Sequence, residues 1–249
     1  CQIFNVIYLG YFVLKSPLSK KFQFSYCKLQ TKMAVDIFKQ ALPSSMNMLL
    51  IGVGFFIIQK YVTGYGANAS AGYGIALRIE QIILLPAIGL NTAMLSMTGQ
   101  NYGAKNYERI KKSLRISRRF TIFWGIAMTL LFIAIRNEIG PIFLKDKPDP
   151  VFFQYMSDFY LIIPFTFIFR MLFVVETSSL NALQKPIITG VLTLIELIGI
   201  YYPVAVFLSQ DYGYLGIFYA LVIATVICGI AAVIINGLVL NSTWKRSLS

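Results

Sequence analysis

Five charged residues stand out inside long apolar runs of this sequence, where a charge is energetically unfavourable. They are Arg78, Glu80, Arg170, Glu176 and Glu196. A charged side chain at the centre of a helix in a lipid bilayer costs about 2.5–3.5 kcal/mol on insertion scales. Such residues predict an ion or substrate pathway unless they only neutralise one another.

Polar neighbours accompany the three carboxylates. Asn91 follows Glu80 by about three helical turns, which places both residues on almost the same face of one helix and predicts a polar cavity there. Short polar residues flank the other two carboxylates: Thr177, Ser178, Ser179 and Asn181 follow Glu176, while Thr189 and Thr193 precede Glu196.

Two interpretations of these carboxylates remain open. In the first, a buried carboxylate alternately holds and releases a proton or Na⁺ as a cavity changes sides, and its charged form attracts a cationic substrate. Glu80 and Glu176 are then the candidate positions for Na⁺. In the second, the carboxylate is only the structural partner of Arg78 or Arg170.

The chain lacks the residues of common catalytic and metal sites. It contains no histidine and only three cysteines, and these have no CxxC spacing. Neither an HExxH nor a GxSxG motif is present. We therefore expect a protein that is not an enzyme and has no cofactor. The only metal site that we consider is one for Na⁺ at Glu80 or Glu176.

The composition indicates a membrane protein. Hydrophobic residues make up 57% of the chain and charged residues 13%, with a mean hydropathy of +0.69, whereas soluble domains carry about 25% charged residues. The net charge is +12, but the basic residues lie between the apolar runs, as juxtamembrane residues do. We therefore expect the lipid bilayer, and no nucleic acid, as a partner.

Six apolar segments are long enough for membrane-spanning helices, which need about 20 residues. Their approximate bounds are Gln40–Val62, Tyr73–Thr98, Phe120–Arg136, Phe152–Ser179, Pro186–Leu208 and Tyr214–Leu240. Open sheets are excluded in lipid because their edge groups are unsatisfied. The sequence therefore predicts an all-α membrane protein with six transmembrane helices, separated by turns that include 64–68, 145–150 and 210–213.

Four prolines fall within or near these segments, at Pro43, Pro86, Pro164 and Pro203. Proline removes a helical hydrogen bond and permits a bend. We expect interrupted helices at these points, which fits a transporter that alternates between two conformations.

The distribution of Lys and Arg predicts the orientation of the spans. One side of the membrane receives the basic residues of 15–39, 105–119, Lys185 and 245–246, and the other receives only Lys60, Arg136, Lys145 and Lys147. Basic loops stay in the cytoplasm. The pattern predicts a multi-pass protein of the cell membrane with both termini cytoplasmic.

These segments divide the chain into four parts. Residues 1–14 are apolar but too short to span a membrane, and we interpret them as the remnant of a preceding transmembrane helix. Residues 15–39 are predicted to form a basic cytoplasmic linker, 40–240 the six-helix transmembrane lobe and 241–249 a cytoplasmic tail.

The loop after the second segment combines glycine, amide and basic residues. Gly99 and Gly103 should permit a sharp exit from the helix, and Gln100 and Asn101 should cap it. Residues 105–119 then predict a basic helix that lies along an anionic leaflet.

This region also carries a family resemblance. It reads LPAIGLNTA over 85–93 and GQNYGAKNYER over 99–109, with ALPS over 41–44, ALRIE over 76–80 and NALQKP over 181–186. Across about residues 34–240 the chain resembles the multidrug and toxic compound extrusion (MATE) transporters. The resemblance implies the carboxyl-terminal lobe of a twelve-helix transporter, whose partner is a missing amino-terminal six-helix lobe.

The resemblance also implies roles for particular carboxylates. Such transporters often use acidic residues on the first and fourth helices of this lobe for coupling. Glu176 matches the fourth helix. The first helix has no acid between Gln40 and Val62, so Glu80 on the next helix is expected to replace it.

The residues and the resemblance together predict a secondary active transporter. We expect an antiporter that exports organic cations or drugs in exchange for H⁺ or Na⁺, with Glu80, Glu176, Asn91 and Glu196 as coupling or substrate-binding residues. The alternative is a lipid-linked sugar flippase of the same wider superfamily. A flippase would need a more cationic cavity for a pyrophosphate, so two intramembrane arginines against three glutamates favour the exporter.

Overall fold

The computed structural model of this protein describes residues 2–16, 31–143 and 150–248. All regular elements within these residues are helical, which confirms the all-α prediction. Helices suit a lipid environment because they satisfy their backbone polar groups internally. Contacts between residues divide the chain into two compact units, Cys1–Lys39 and Gln40–Ser249.

The first unit contains α1 (Gln2–Lys15) and the beginning of α2 (Thr31–Thr63). Cys1 and residues 17–30 of the predicted linker lie outside the described residues. Residues 31–39, which were also assigned to the linker, are helical and form the first turns of α2.

The second unit holds the rest of α2 and all later helices. In order these are α3 (Ala67–Ile83), α4 (Leu85–Gly103), α5 (Tyr107–Phe143), α6 (Pro150–Ile162), α7 (Thr166–Ala182), α8 (Pro186–Leu194), α9 (Tyr202–Tyr212) and α10 (Tyr214–Leu248). The predicted tail is therefore helical as far as Leu248. The predicted turn at 145–150 lies outside the described residues except for Pro150.

Four stretches of the described chain are long and apolar enough to cross a membrane. They are Tyr107–Ile139, Phe152–Ala182, Pro186–Tyr212 and Tyr214–Lys245, and they contain the predicted third to sixth spans. The predicted second span is a bent pair, α3 and α4, which raises the total to five if the pair counts as one span. For the first predicted span, the apolar helical stretch among the described residues is Ile51–Thr63, which is shorter than the predicted Gln40–Val62. Several side chains before Ile51 lie outside the described residues.

Helix irregularities accompany three of the predicted prolines. α3 and α4 meet at 46° just before Pro86, and a short 3₁₀ turn at Ile163–Phe165 contains Pro164. A π-helical segment, Ile195–Tyr201, directly precedes the turn that holds Pro203. Because proline cannot donate to the preceding turn, these three interruptions confirm the prediction. At Pro43 the prediction is wrong, because α2 runs without a break through this residue.

The turns use left-handed backbone conformations at a few residues. Gly66 has φ of 108° and Gly213 has φ of 56°, in the region that glycine adopts without strain. Both lie in turns that the sequence predicted between spans.

The exit from α4 differs from the prediction. Gly99 and Gly103 both lie within α4, and the left-handed residue is Lys105, with φ of 55°. Asn106 then begins the next helix, because its Oδ1 accepts a hydrogen bond of 3.1 Å from the backbone N–H of Arg109. An asparagine at this position satisfies a backbone donor of the first turn.

α7 lies at the centre of the second unit, packed against α4, α5 and α10. Two glycines permit close approach. A Cβ on Gly125 of α5 would lie 2.9 Å from the Cα of Ile168, and one on Gly229 of α10 would lie 2.8 Å from the carbonyl oxygen of Phe169. Since small residues allow membrane helices to approach closely, α7 is held tightly between two neighbours.

Candidate ion-coupling site

Glu80 and Arg170 form a loose ion pair inside the second unit. Glu80 lies on α3 with 4% of its surface exposed, and its Oε1 is 3.7 Å from the Nε of Arg170 on α7. This distance exceeds hydrogen-bond length, and neither atom has a hydrogen-bond partner among the described residues. A buried carboxylate with an unused oxygen is poorly compensated, so the pair retains capacity for a proton, Na⁺ or a ligand.

A second carboxylate lies near the same guanidinium. Glu196 is 6% exposed, sits in the π-helical segment and is within electrostatic range of Arg170. The hydroxyl groups of Tyr73 and Tyr201 are within the same range. We call Glu80, Arg170, Glu196, Tyr73 and Tyr201 the Arg170 cluster; it brings two carboxylates within electrostatic range of one guanidinium.

Glu176 belongs to a different group of side chains, which we call the Glu176 cluster. The carboxylate is completely buried, and Arg118 of α5 donates to both of its oxygens, at 2.6 Å from Nε and 2.9 Å from Nη2. Asn236 of α10 donates a further hydrogen bond of 2.7 Å, and Ser179 donates to the Asn236 amide oxygen at 3.5 Å. Such bidentate, charge-assisted pairs are among the stronger polar contacts in proteins.

The two clusters share α7 but differ in how well their carboxylates are compensated. Arg170 and Glu176 are six residues apart on this helix, which corresponds to a rise of about 9 Å. Both oxygens of Glu176 are occupied by donors, whereas Oε1 of Glu80 is not. The Arg170 cluster is therefore the better candidate for reversible binding of an ion, and the Glu176 cluster the better candidate for a structural brace.

The structure distributes the predicted site residues over different positions. Glu80 and Glu196 come together at Arg170, but Glu176 does not join them. Asn91 lies on α4 with an exposed side chain, and its carbonyl accepts a hydrogen bond of 2.7 Å from Ser178. The bend before α4 interrupts the helix that was predicted to carry Glu80 and Asn91 on one face.

The two candidate counter-ions also differ. Arg170 pairs with Glu80, whereas Arg78 is exposed and has no ion pair within the described part of the chain. Arg78 and Glu80 point in different directions from α3, because residues two apart on a helix do not share a face.

Sequence reasoning missed two members of the Glu176 cluster. Arg118 was counted with the basic loop, although it lies only two residues before the apolar run that begins at Phe120. Asn236 is the one amide within the apolar stretch Tyr214–Leu240 of α10, and it is completely buried. An amide in an apolar span needs a hydrogen-bond partner, so the sequence could have indicated that Asn236 joins two helices. It could not have indicated that the partner is Glu176.

The comparison with protein families decides the identity of the fold. A family model named MatE matches residues 43–207, a range that runs from α2 into α9 and includes both clusters except Asn236. The chain belongs to the MATE family. The resemblance predicted from the GQNYGA region is confirmed, and the apolar helices of this MATE chain make it a multi-pass membrane protein.

Individual relatives of this MATE chain are distant. Multidrug export protein MepA of Staphylococcus saprophyticus is 25% identical over 240 residues, 93% of this chain and 50% of that protein. The FAD transporter of Shewanella oneidensis is 25% identical over 191 residues, 77% of this chain and 42% of that protein. The chain thus spans half or less of the length of these curated relatives.

A solved structure has the same fold over about half its length. The MATE transporter VcmN of Vibrio cholerae, in its bent form, matches with a TM-score of 0.85 and 18% identity. The match covers 96% of this chain and 53% of that chain. This MATE chain therefore has the fold of about half of a solved MATE transporter.

Proposed function

We propose that this chain is the carboxyl-terminal lobe of a secondary transporter that exports small organic cations in exchange for H⁺ or Na⁺, with Glu80 as the coupling carboxylate. The observation that carries the proposal is the buried Oε1 of Glu80, which lies 3.7 Å from Arg170 and lacks a hydrogen-bond partner among the described residues. A relative named as a multidrug export protein supports drug transport.

The coupling step follows from the charge of the Arg170 cluster. With both carboxylates ionised, Glu80 and Glu196 outnumber Arg170 and give the cluster a net negative charge. A proton on Glu80, or Na⁺ held by its free oxygen, removes this excess. A cationic substrate compensates the same charge, so ion and substrate compete for one site, which is the requirement for exchange.

The helix irregularities beside the cluster support a conformational change that acts on it. Glu196 lies in a π-helical segment, a feature frequent at functional sites, and Arg170 begins the second turn of α7 after the 3₁₀ turn. Bending at these points would move the two carboxylates relative to Arg170 and change the affinity of Glu80 for the ion.

The excess of carboxylates also bears on the alternative, a flippase for lipid-linked sugars. A pyrophosphate carries negative charge, and like charges placed together in a site of low dielectric are unfavourable. Two carboxylates facing one guanidinium therefore favour a cationic substrate. The relative named as an FAD transporter is the reason to include an anionic substrate in the test.

The decisive experiment measures exchange in vesicles that contain the full-length transporter. Glu80→Gln keeps the shape of the side chain but removes its titratable charge, so we expect at least a tenfold loss, on the order of one removed charge interaction, in ethidium efflux driven by a proton or Na⁺ gradient. Insertion should stay near normal, and Glu138→Gln, at an exposed carboxylate of α5, is the matched control.

Other results would reject the proposal. Full ethidium efflux by Glu80→Gln would remove Glu80 from coupling. Poor insertion of Glu80→Gln would instead indicate that Glu80 is the structural partner of Arg170, which would lose its ion pair. Transport of a lipid-linked pyrophosphate sugar without ethidium efflux would favour the flippase.

A further inference from the structure

A cavity of about 370 Å³ lies between α5 and α10, at the basic end of α5. Four of its lining residues are basic: Lys111, Arg115, Arg118 and Arg119. Their spacing of three and four residues places them on one face of α5. The cavity is therefore lined by cations from a single helical stripe.

Most of the positive charge around this cavity has no acidic partner there. Arg118 is neutralised by Glu176, which leaves Lys111, Arg115 and Arg119. No carboxylate is among the described residues that line the cavity. Several like charges held together repel one another, so an anion placed among them would be stabilised.

The rest of the cavity wall is apolar except for the amide of Asn241. Leu114 and Ile122 of α5 and Leu240 of α10 line it, so one cavity combines a cationic rim with a hydrophobic wall. Beyond Arg119, α5 becomes apolar and continues as the first of the long membrane-spanning stretches. The cavity thus lies where the charged part of α5 meets its lipid-facing part.

An aromatic residue of α10 contacts one of the basic residues that line the cavity. The ammonium of Lys111 lies 4.1 Å from the centre of the Trp244 ring, a cation–π contact. Tryptophan is enriched at the level of lipid headgroups, where its ring meets both apolar and polar surroundings. The position of Trp244 therefore indicates that the cavity lies at the depth of the lipid headgroups.

We propose that this cavity binds the phosphate headgroup of an anionic phospholipid, with the acyl chains against the apolar wall. Basic pockets between transmembrane helices recognise such headgroups, and the combination of three uncompensated cations with an apolar wall matches an amphipathic anion. A free phosphate shares the headgroup chemistry but makes no use of Leu114, Ile122 or Leu240. The site is independent of the coupling role of Glu80.

The test compares two triple variants of the full-length protein with equal loss of charge. The cavity variant is Lys111→Gln, Arg115→Gln and Arg119→Gln, which leaves the Arg118–Glu176 pair intact. The control is Lys105→Gln, Arg109→Gln and Lys112→Gln, three exposed basic residues that do not line the cavity. Native mass spectrometry of protein in detergent then counts bound phosphatidylglycerol, with phosphatidylcholine as the neutral comparison.

We expect the wild type and the control to retain one phosphatidylglycerol, and the cavity variant to bind it at least about tenfold more weakly, given the contribution of each basic residue near an anionic lipid. A variant without charge change gives an independent measurement. Gly237 lines the cavity, and a Cβ there meets no atom within 4 Å, so Gly237→Phe should fill the space and exclude the lipid.

Three outcomes would overturn the proposal. The first is equal binding by the wild type and both cavity variants. The second is an equal loss in the cavity and control triples, which would mean that bulk charge alone attracts the lipid. The third is displacement of phosphatidylglycerol by an equal concentration of glycerol 3-phosphate, which would indicate a site for a soluble phosphate.

Discussion

The carboxylate of Glu176 lies against the guanidinium of Arg118, with Oε1 2.6 Å from Nε and Oε2 2.9 Å from Nη2, although 58 residues separate them in the chain. Arg118 is on α5 and Glu176 on α7, and Asn236 extends the contact to α10. One carboxylate thus connects three helices. Its side chain is completely buried, whereas 31% of the Arg118 side chain is exposed.

This asymmetry predicts unequal effects of removing either partner. Arg118→Gln leaves the buried carboxylate of Glu176 with one remaining partner, Asn236, and should destabilise the protein by about 3–5 kcal/mol. Glu176→Gln should cost less, because Arg118 can turn its guanidinium towards water. The melting temperature of the full-length protein in detergent would measure the difference, with Lys112→Gln as an exposed control.

The double variant Arg118→Gln with Glu176→Gln separates pairing from other causes. If the ion pair is the reason for the loss, the double variant should be more stable than Arg118→Gln alone, since no charge remains buried. A double variant that loses the sum of both single effects would contradict a direct interaction.

Close helix packing around α7 predicts sensitivity at two glycines. Gly125→Ala and Gly229→Ala each place a Cβ under 3.0 Å from backbone atoms of α7, so the helices must separate and the protein should lose about 1–3 kcal/mol. Gly190→Ala is the matched control, because a Cβ there meets nothing within 4 Å. Melting temperatures lowered equally by all three changes would argue against the packing explanation.

The orientation of the spans is a separate prediction from the distribution of basic residues. In a cysteine-free background, Ala67→Cys and Asp211→Cys should react with an impermeant thiol reagent applied to intact cells. Ala104→Cys and Lys185→Cys should react only after the membrane is opened. All four positions are exposed in the structure, so burial does not confound the comparison, and labelling of Ala104→Cys from outside would reverse the orientation.

Much of the architecture followed from the sequence alone. Long apolar runs predicted helices because a chain in lipid must satisfy its backbone internally, and the last four predicted spans all lie within α5 to α10. The helices extend beyond the predicted bounds, since α5 begins at Tyr107 and not at Phe120, and α10 continues past Leu240 to Leu248. Proline positions predicted the interruptions at Pro86, Pro164 and Pro203, since the missing N–H is a property of the residue itself. The GQNYGA region was sufficient to indicate the family.

The sequence also identified which carboxylates were exceptional, because any charge in an apolar span is costly unless a partner compensates it. It could not assign their partners. Glu80 had Arg78 and Arg170 as candidates. Helix geometry directs Arg78 to another face, and the packing of the helices brings Arg170 to Glu80. The bend before α4 likewise separates Asn91 from Glu80, because the direction of a bend depends on tertiary contacts.

The tertiary structure alone decided the difference between Glu80 and Glu176. The two residues look alike in sequence, each a carboxylate in an apolar helix. Arg118 and Asn236 reach Glu176 across 58 and 60 residues, and no local pattern encodes contacts between helices so distant in the chain. Whether a buried carboxylate is fully compensated depends on every helix packed around it, and this compensation separates the candidate coupling residue from the structural brace.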